Sequence, residues 1–198
     1  MPCLNLQSML ILSQNLTNYD IPVPEDAVFR INLAWINSID ELTKILEIHN
    51  KRKIFLDLPI NRTKPPNNKY TLNEIIKIIK TYTNIEYFAI SNVESKNDLS
   101  EYIEKLPNSI TLVPKIESHI GIENIEEIAK SLDYKSRVMM LDHDDLYSNL
   151  LKSKQPLEKF TVYISQLTEF CKLNNIVLLR TIGVIFSDDE KRISNYVN

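Results

Sequence analysis

Val113-Pro-Lys-Ile-Glu117-Ser, then Gly121-Ile-Glu-Asn-Ile-Glu-Glu-Ile-Ala129, then Arg137-Val-Met-Met-Leu-Asp-His-Asp-Asp-Leu146 is the stretch on which the reading of this chain turns. The apolar run Ser109-Ile-Thr-Leu-Val113 predicts a strand that ends at Lys115 and Glu117. Ile120, Ile122, Ile125 and Ile128 recur at helical spacing and predict an amphipathic helix over about residues 121–132. Val138-Met-Met-Leu141 predicts a second short buried strand, ending in Asp142, Asp144 and Asp145. The result is a strand–helix–strand unit with acidic groups at the carboxyl ends of both strands. In parallel α/β folds those ends meet at the ligand crevice. Two carboxylates brought together there repel unless a cation such as Mg²⁺ or Mn²⁺ lies between them.

Outward from this unit the same alternation continues. Ser8–Ser13, Ala27–Leu33, Lys53–Asp57 and Glu86–Ile90 predict four strands before it, and Ile176–Arg180 one after it. Ser38 with Glu41 reads as a capping box for a helix whose inner face carries Ile39, Leu42, Ile45, Leu46 and His49. Thr71 with Glu74 opens the next, with Ile75, Ile76 and Ile79 inward, and Ser95 with Asp98 starts a third through Leu106. Pro156 is expected to begin a long helix to about Leu173, and a last helix runs from about Asp188 to Tyr196. Asn15 to Glu25 and Pro59 to Tyr70 read as loops. The pattern predicts an α/β fold in one domain over residues 1–198, a TIM-like (β/α) barrel of about seven parallel strands. A complete barrel has eight strands and typically ~250 residues, so this one is expected to be shortened or incompletely closed. An open seam leaves strand edges unpaired; a homo-oligomer is therefore expected, a dimer joined near Ser8–Ser13 and Ile176–Thr181.

Composition narrows the function classes. A formal net charge of −3 gives no basic excess, which argues against nucleic-acid binding. No stretch approaches the ~20 apolar residues of a membrane span. Met1-Pro-Cys-Leu-Asn5 lacks a charged region followed by an apolar one, so no signal peptide is expected. Cys3 and Cys171 have no metal-ligand spacing and read as buried free thiols in a reducing cytosol, implying a cytoplasmic protein. Glycine is scarce. A chain of this length averages roughly 14 glycines, and this one has 2, Gly121 and Gly183. Phosphate cradles of the Gly-rich kind are thereby excluded.

Lys115-Ile-Glu117, Gly121, Asn124, Ile128 and Asp145-Leu146 together resemble the central signature of the phosphoenolpyruvate/pyruvate TIM-barrel superfamily. Pyruvate kinases carry a lysine–isoleucine–glutamate strand end, a glycine–x–x–asparagine helix start and an aspartate–leucine pair. The HpcH/HpaI aldolase and citrate lyase β-subunit family has a similar order, and Lys115 matches the kinases more closely. Weaker similarity runs over about residues 27–197 and includes Arg30-Ile-Asn32, Leu56-Asp57 followed by Arg62, Ala89-Ile-Ser91, Gln166, Cys171 and Val177 to Thr181. The chain departs from the kinase pattern where Ala34 stands for a serine, where the Asp57–Arg62 spacing is shortened, and where the lid domain is missing.

The resemblance implies Glu117 and Asp145 as ligands of Mg²⁺ or Mn²⁺, and Lys115, Arg30, Arg62 and Thr181 as the groups that meet a small α-keto acid or phosphoenolpyruvate-like ligand. It implies a metal-dependent carbon–carbon lyase, of aldolase type, working through an enolate; the alternative is a non-catalytic relative that binds a ligand or serves as a scaffold. The residues themselves leave other roles open. Glu117 and Asp145 can also be solvated loop acids, though their strand-end context favours metal binding, and Lys115 can be an ion-pair partner of Glu117. Arg30 and Arg62 suit a bidentate carboxylate clamp. Asp142 and Asp144 are expected to be exposed or to sit behind the ligands. His143 reads as a turn residue, His49 and His119 as structural, and Trp35 as lining the cleft or filling the barrel mouth.

Overall fold

The computed structural model describes residues 10–13, 23–60, 69–134 and 136–180. β1 (Ile11–Ser13), β2 (Val28–Asn32), β3 (Ile54–Leu58), β4 (Ile85–Ile90) and β5 (Thr111–Pro114) form one sheet in that order. The pairs β1–β2, β2–β3 and β3–β4 are parallel. β6 (Arg137–Leu141) and β7 (Ile176–Arg180) form a separate two-stranded parallel sheet. Just past β5, Lys115 bridges Met140, and the Ile116 N–H donates to the Met140 carbonyl at 2.8 Å. The ladder to β6 is this one bridge; the chain stays extended through Ser118, which caps the helix that follows. The described residues thus form an α/β fold on a five-strand parallel sheet. The single seven-stranded sheet expected from the sequence is divided into five strands and two.

The chain packs as two compact units. The first holds the described residues up to Ser91 together with Tyr102–Leu112; the second holds Asn92–Glu101 and the described residues from Val113 on. In the first unit β3 is buried along its whole length, as expected of a parallel strand covered on both faces. Phe29, Ile31, Phe55, Leu56, Ile75 and Phe88 fill that core. α1 (Ile39–Ile48) starts where Ser38 Oγ accepts the Glu41 N–H at 3.1 Å. The Glu41 carboxylate reaches one residue further back than a capping box requires, accepting from the Asn37 N–H at 2.8 Å. α2 (Leu72–Thr81) has the full box between Thr71 and Glu74, and its Ile75, Ile76 and Ile79 stripe is buried as read. His49 is buried at the edge of this core with its ring against Phe29, and burial holds its pKa below the ordinary value, helped by Arg52. Trp35 does not fill a mouth: it ends a 3-10 turn (Leu33–Trp35) and is 64% exposed.

α3 (Asn97–Lys105) opens with Asp98 accepting from the Glu94 and Ser95 N–H groups. The second unit contains α4 (His119–Glu123), α5 (Ile125–Lys130), α6 (His143–Lys152) and α7 (Lys159–Leu173). Two of its features differ from expectation. The helix over 121–132 is two short helices, broken where the Asn124 side chain donates to the Glu94 carbonyl at 2.9 Å. And α6, unforeseen, begins inside the acidic cluster: Asp142 is its N-cap, so His143, read as a turn residue, is buried in the first turn of a helix. The long helix begins at Lys159, three residues after Pro156. Val113, Ile116, Ile122, Ile128, Met139, Leu141, Leu146, Leu150 and Leu167 form the core of this unit. Cys171 is a buried free thiol, and burial pushes its pKa up to about 12. Cys3 and the helix read over Asp188–Tyr196 lie outside the described residues. Among the described residues no helix is long and apolar enough to cross a membrane.

Candidate metal centre

The signature residues of the second unit converge on one turn, Asn92-Val93-Glu94. Asn92 adopts φ 53°, a left-handed conformation that asparagine tolerates better than most residues. In that turn the Asn92 N–H meets Glu117 Oε2 at 2.9 Å, and the Val93 N–H meets the Lys115 carbonyl at 3.1 Å. Gly121 is required by the same contact. A Cβ placed on it would lie 2.5 Å from the Val93 carbonyl oxygen, closer than any side chain can stand. Ser118 caps α4 by accepting the Gly121 N–H at 3.1 Å, and Asn124 closes the clasp on Glu94. A lysine–x–glutamate strand end followed by a glycine–x–x–asparagine helix start is therefore a packing device that holds Glu117 in place.

Glu117 is 1% exposed and Lys115 4%. Lys115 Nζ lies 2.8 Å from Glu117 Oε1, a buried ion pair, so the ion-pair reading of Lys115 is realised. The contact lies off hydrogen-bond geometry, and Oε1 accepts no hydrogen bond. Around Glu117, Asp142 and Asp145 each bring one carboxylate oxygen, and the three ligand atoms lie within 4.8 Å of one another. Both aspartates are half-buried, whereas Asp144 points to solvent. Burial raises the pKa of Glu117 to about 7; Lys115 opposes the rise, and Asp142 and Asp145 add to it. A carboxylate held toward neutrality chiefly by burial, with two further carboxylates adding to the effect, gains from a cation that favours its charged form.

The donor set fits a hard divalent ion, which takes carboxylate oxygens in preference to nitrogen or sulfur. Ligands on opposite sides of Mg²⁺ stand about 4.2 Å apart, twice the metal–oxygen distance, and those of larger ions slightly further. At most one pair of three ligands can be trans, and cis ligands of Mg²⁺ stand about 3.0 Å apart. Atoms within 4.8 Å of one another must therefore draw together by up to about 1.8 Å for Mg²⁺ and less for a larger ion.

Of the residues read from the sequence, the structure brings together Lys115, Glu117 and Asp145. It adds Asp142, which had been expected outside the ligand set. The signal for Asp142 was present: an aspartate followed by Leu146 and Leu150 at helical spacing is an N-cap, and it places residues 142 and 145 on one turn. Arg30 lies in the first unit, where its Nε donates to Asp57 Oδ2 at 2.9 Å and Asp57 is 1% exposed. Arg62 and Thr181 lie outside the described residues. His119 is tied to Asn149, its Nδ1 3.0 Å from Oδ1.

No family model matches the chain. The chain is similar to pyruvate kinase. Against the pyruvate kinase of Methanocaldococcus jannaschii it is 28% identical over 127 residues, covering 59% of this chain and 28% of that one. The chain thus spans less than a third of the length of this curated relative. Among solved structures, RipC from Yersinia pestis superposes with a TM-score of 0.63 at 15% identity, over 96% of this chain and 86% of that one. A Cryptosporidium parvum pyruvate kinase in complex with ADP gives 0.55 at 14% identity, over 76% of this chain and 50% of that one. At these identities the structural likenesses establish the fold, which the chain shares with both.

Proposed function

We propose that Glu117 and Asp145 hold Mg²⁺ or Mn²⁺ and that the site binds pyruvate, phosphoenolpyruvate or another small α-keto acid, acting on it as a carbon–carbon lyase through an enolate. The observation that carries the reading is the cluster itself: a buried glutamate and two half-buried aspartates whose ligand atoms lie within 4.8 Å, of which Glu117 and Asp145 match the superfamily signature. A divalent cation bound there supplies Lewis-acid polarisation of the ligand carbonyl and charge stabilisation for an enolate. Lys115 adds a buried positive charge beside the same carboxylate, suited to stabilising an enolate oxygen or carrying a proton. The 92–94 turn keeps Glu117 from relaxing toward solvent, so the ligand does not pay for ordering it. Arg30, Arg62 and Thr181 enter the proposal through the resemblance alone.

A second reading, a non-catalytic ligand-binding or scaffold relative, is favoured by one observation: Lys115 is already satisfied as a buried ion-pair partner. Two measurements separate the readings. Mn²⁺ raises the melting temperature, oxalate or pyruvate raises it further, and Glu117→Gln or Asp145→Asn abolishes both effects while the fold is retained. No metal response in the wild-type chain refutes the site. Exchange of the pyruvate methyl protons into D₂O, followed by NMR, then distinguishes the two: enolisation in the enzyme, binding without exchange in the scaffold.

A further inference from the structure

Asp142 does two things at once. It is the N-cap of the ten-residue α6, its Oδ1 accepting the Asp144 N–H at 3.2 Å and the Asp145 N–H at 3.4 Å, and its carbonyl accepting the Leu146 N–H at 3.0 Å. The cap engages Oδ1 alone; among the described residues Oδ2 makes no hydrogen bond. Its carboxylate also stands in the cluster with Glu117 and Asp145. A cap as such does not need a charge there. Asparagine and serine cap helices about as well as aspartate, and neither sets a like charge beside a glutamate that is 1% exposed. Glu117 Oε2 accepts the Asn92 N–H, and Oε1 lies 2.8 Å from Lys115 Nζ but accepts no hydrogen bond, so this buried carboxylate, with about four lone-pair sites, keeps acceptor capacity.

We infer that Asp142 is a third ligand of the cation centre, and that by capping α6 it also positions Asp145. The inference rests on the reading above that Glu117 and Asp145 hold a divalent ion. With all three acids ionised and Lys115 charged, the cluster carries three negative charges and one positive. The net of two matches a divalent ion and overmatches a monovalent one. Three protein oxygens also leave about three positions of an octahedral ion for ligands, enough for a carboxylate and an adjacent oxygen of an α-keto acid. The contact of the Asp145 N–H with the Asp142 side chain, at 3.4 Å, links the two aspartates across the first turn of α6.

The test is Mn²⁺ binding to the full chain, read by the electron paramagnetic resonance of free Mn²⁺, with melting temperatures taken in EDTA. Asp142→Asn and Asp142→Ser keep the cap and remove the charge. Both are expected to melt within a few degrees of the wild type without metal and to bind Mn²⁺ at least about tenfold more weakly. Asp142→Ala removes the cap as well, and should lower the metal-free melting temperature in addition. If Asp142→Asn and Asp142→Ser bind Mn²⁺ within twofold of the wild type while Asp145→Asn does not, Asp142 is a cap only and this inference is overturned alone. If the wild type itself takes up no Mn²⁺, the reading of the centre falls and the inference with it.

Discussion

Titrating the metal-free protein between about pH 5 and pH 8 tests the electrostatics of the cluster through one group, Glu117. Its pKa is raised from 4.5 to about 7 because burial penalises the charged form more than Lys115 stabilises it. An acid with a raised folded pKa binds more protons folded than unfolded between those two values. Its contribution to stability is complete below about pH 4.5 and is lost as pH rises through about 7. At ~1.36 kcal/mol per pH unit the loss amounts to at most about 3 kcal/mol. A bound cation reverses the sign, because it needs the carboxylate ionised. The apparent affinity for Mn²⁺ should therefore rise about tenfold from pH 6 to pH 8. Binding should release roughly half a proton per ion near pH 7 and roughly a tenth near pH 8. Calorimetric titration in two buffers of different ionisation enthalpy measures the proton count directly, and thermal unfolding in EDTA measures the stability slope. Glu117→Gln is the control, since amide and carboxylic acid are both neutral and the amide oxygen can still accept from Asn92. An affinity that is flat across this range, or a stability slope unchanged in Glu117→Gln, refutes the argument. His49, whose pKa is lowered by burial, has the opposite slope, destabilising as pH falls below about 6.5. The variant-minus-wild-type difference removes it.

Further outcomes follow from packing and burial. Gly121→Ala puts a methyl against the Val93 carbonyl; overpacking of about 1–3 kcal/mol outweighs the ~1 kcal/mol gained in helix propensity, so urea denaturation should show a net loss, and a variant as stable as the wild type would show that α4 can shift. Cys171, 1% exposed with its thiol pKa pushed up to about 12, should resist iodoacetamide near pH 8 until denaturant opens the second unit; peptide mass spectrometry detecting rapid native labelling would contradict that burial. The chain is expected to sediment as a homodimer at micromolar concentration, and a clean 23.1 kDa species would refute the dimer.

What the sequence determined by itself is what short-range hydrogen bonding and periodicity determine. Thr71 and Glu74 cap α2 as read, Ser38 caps α1, and the apolar runs over residues 54–57 and 138–141 are buried strands. In each case the partners lie within four residues, or the pattern of burial repeats along the chain, so the linear order carries the information. The strand ends bearing Glu117 and Asp145 were legible on the same grounds. The first turn of α6 is legible too, although three aspartates and a histidine mask an N-cap followed by Leu146 and Leu150.

Tertiary structure decided the rest. That Glu117 is held by Asn92 and Asn124 by Glu94 involves residues 25 and 30 positions apart, and no local pattern announces such pairs. The same holds for Arg30, engaged by Asp57 at a separation of 27. Gly121 is a glycine because a carbonyl from a distant turn occupies the space of its Cβ, which only three-dimensional packing reveals. The division of the strands into five and two depends on pairing between residues far apart in the chain, which beyond β5 is limited to the Lys115–Met140 bridge. Asp142 joined the cluster by the same route: the helix it caps turned its carboxylate toward Glu117, and the charge that looks like surface decoration in the sequence stands beside a buried acid in the fold.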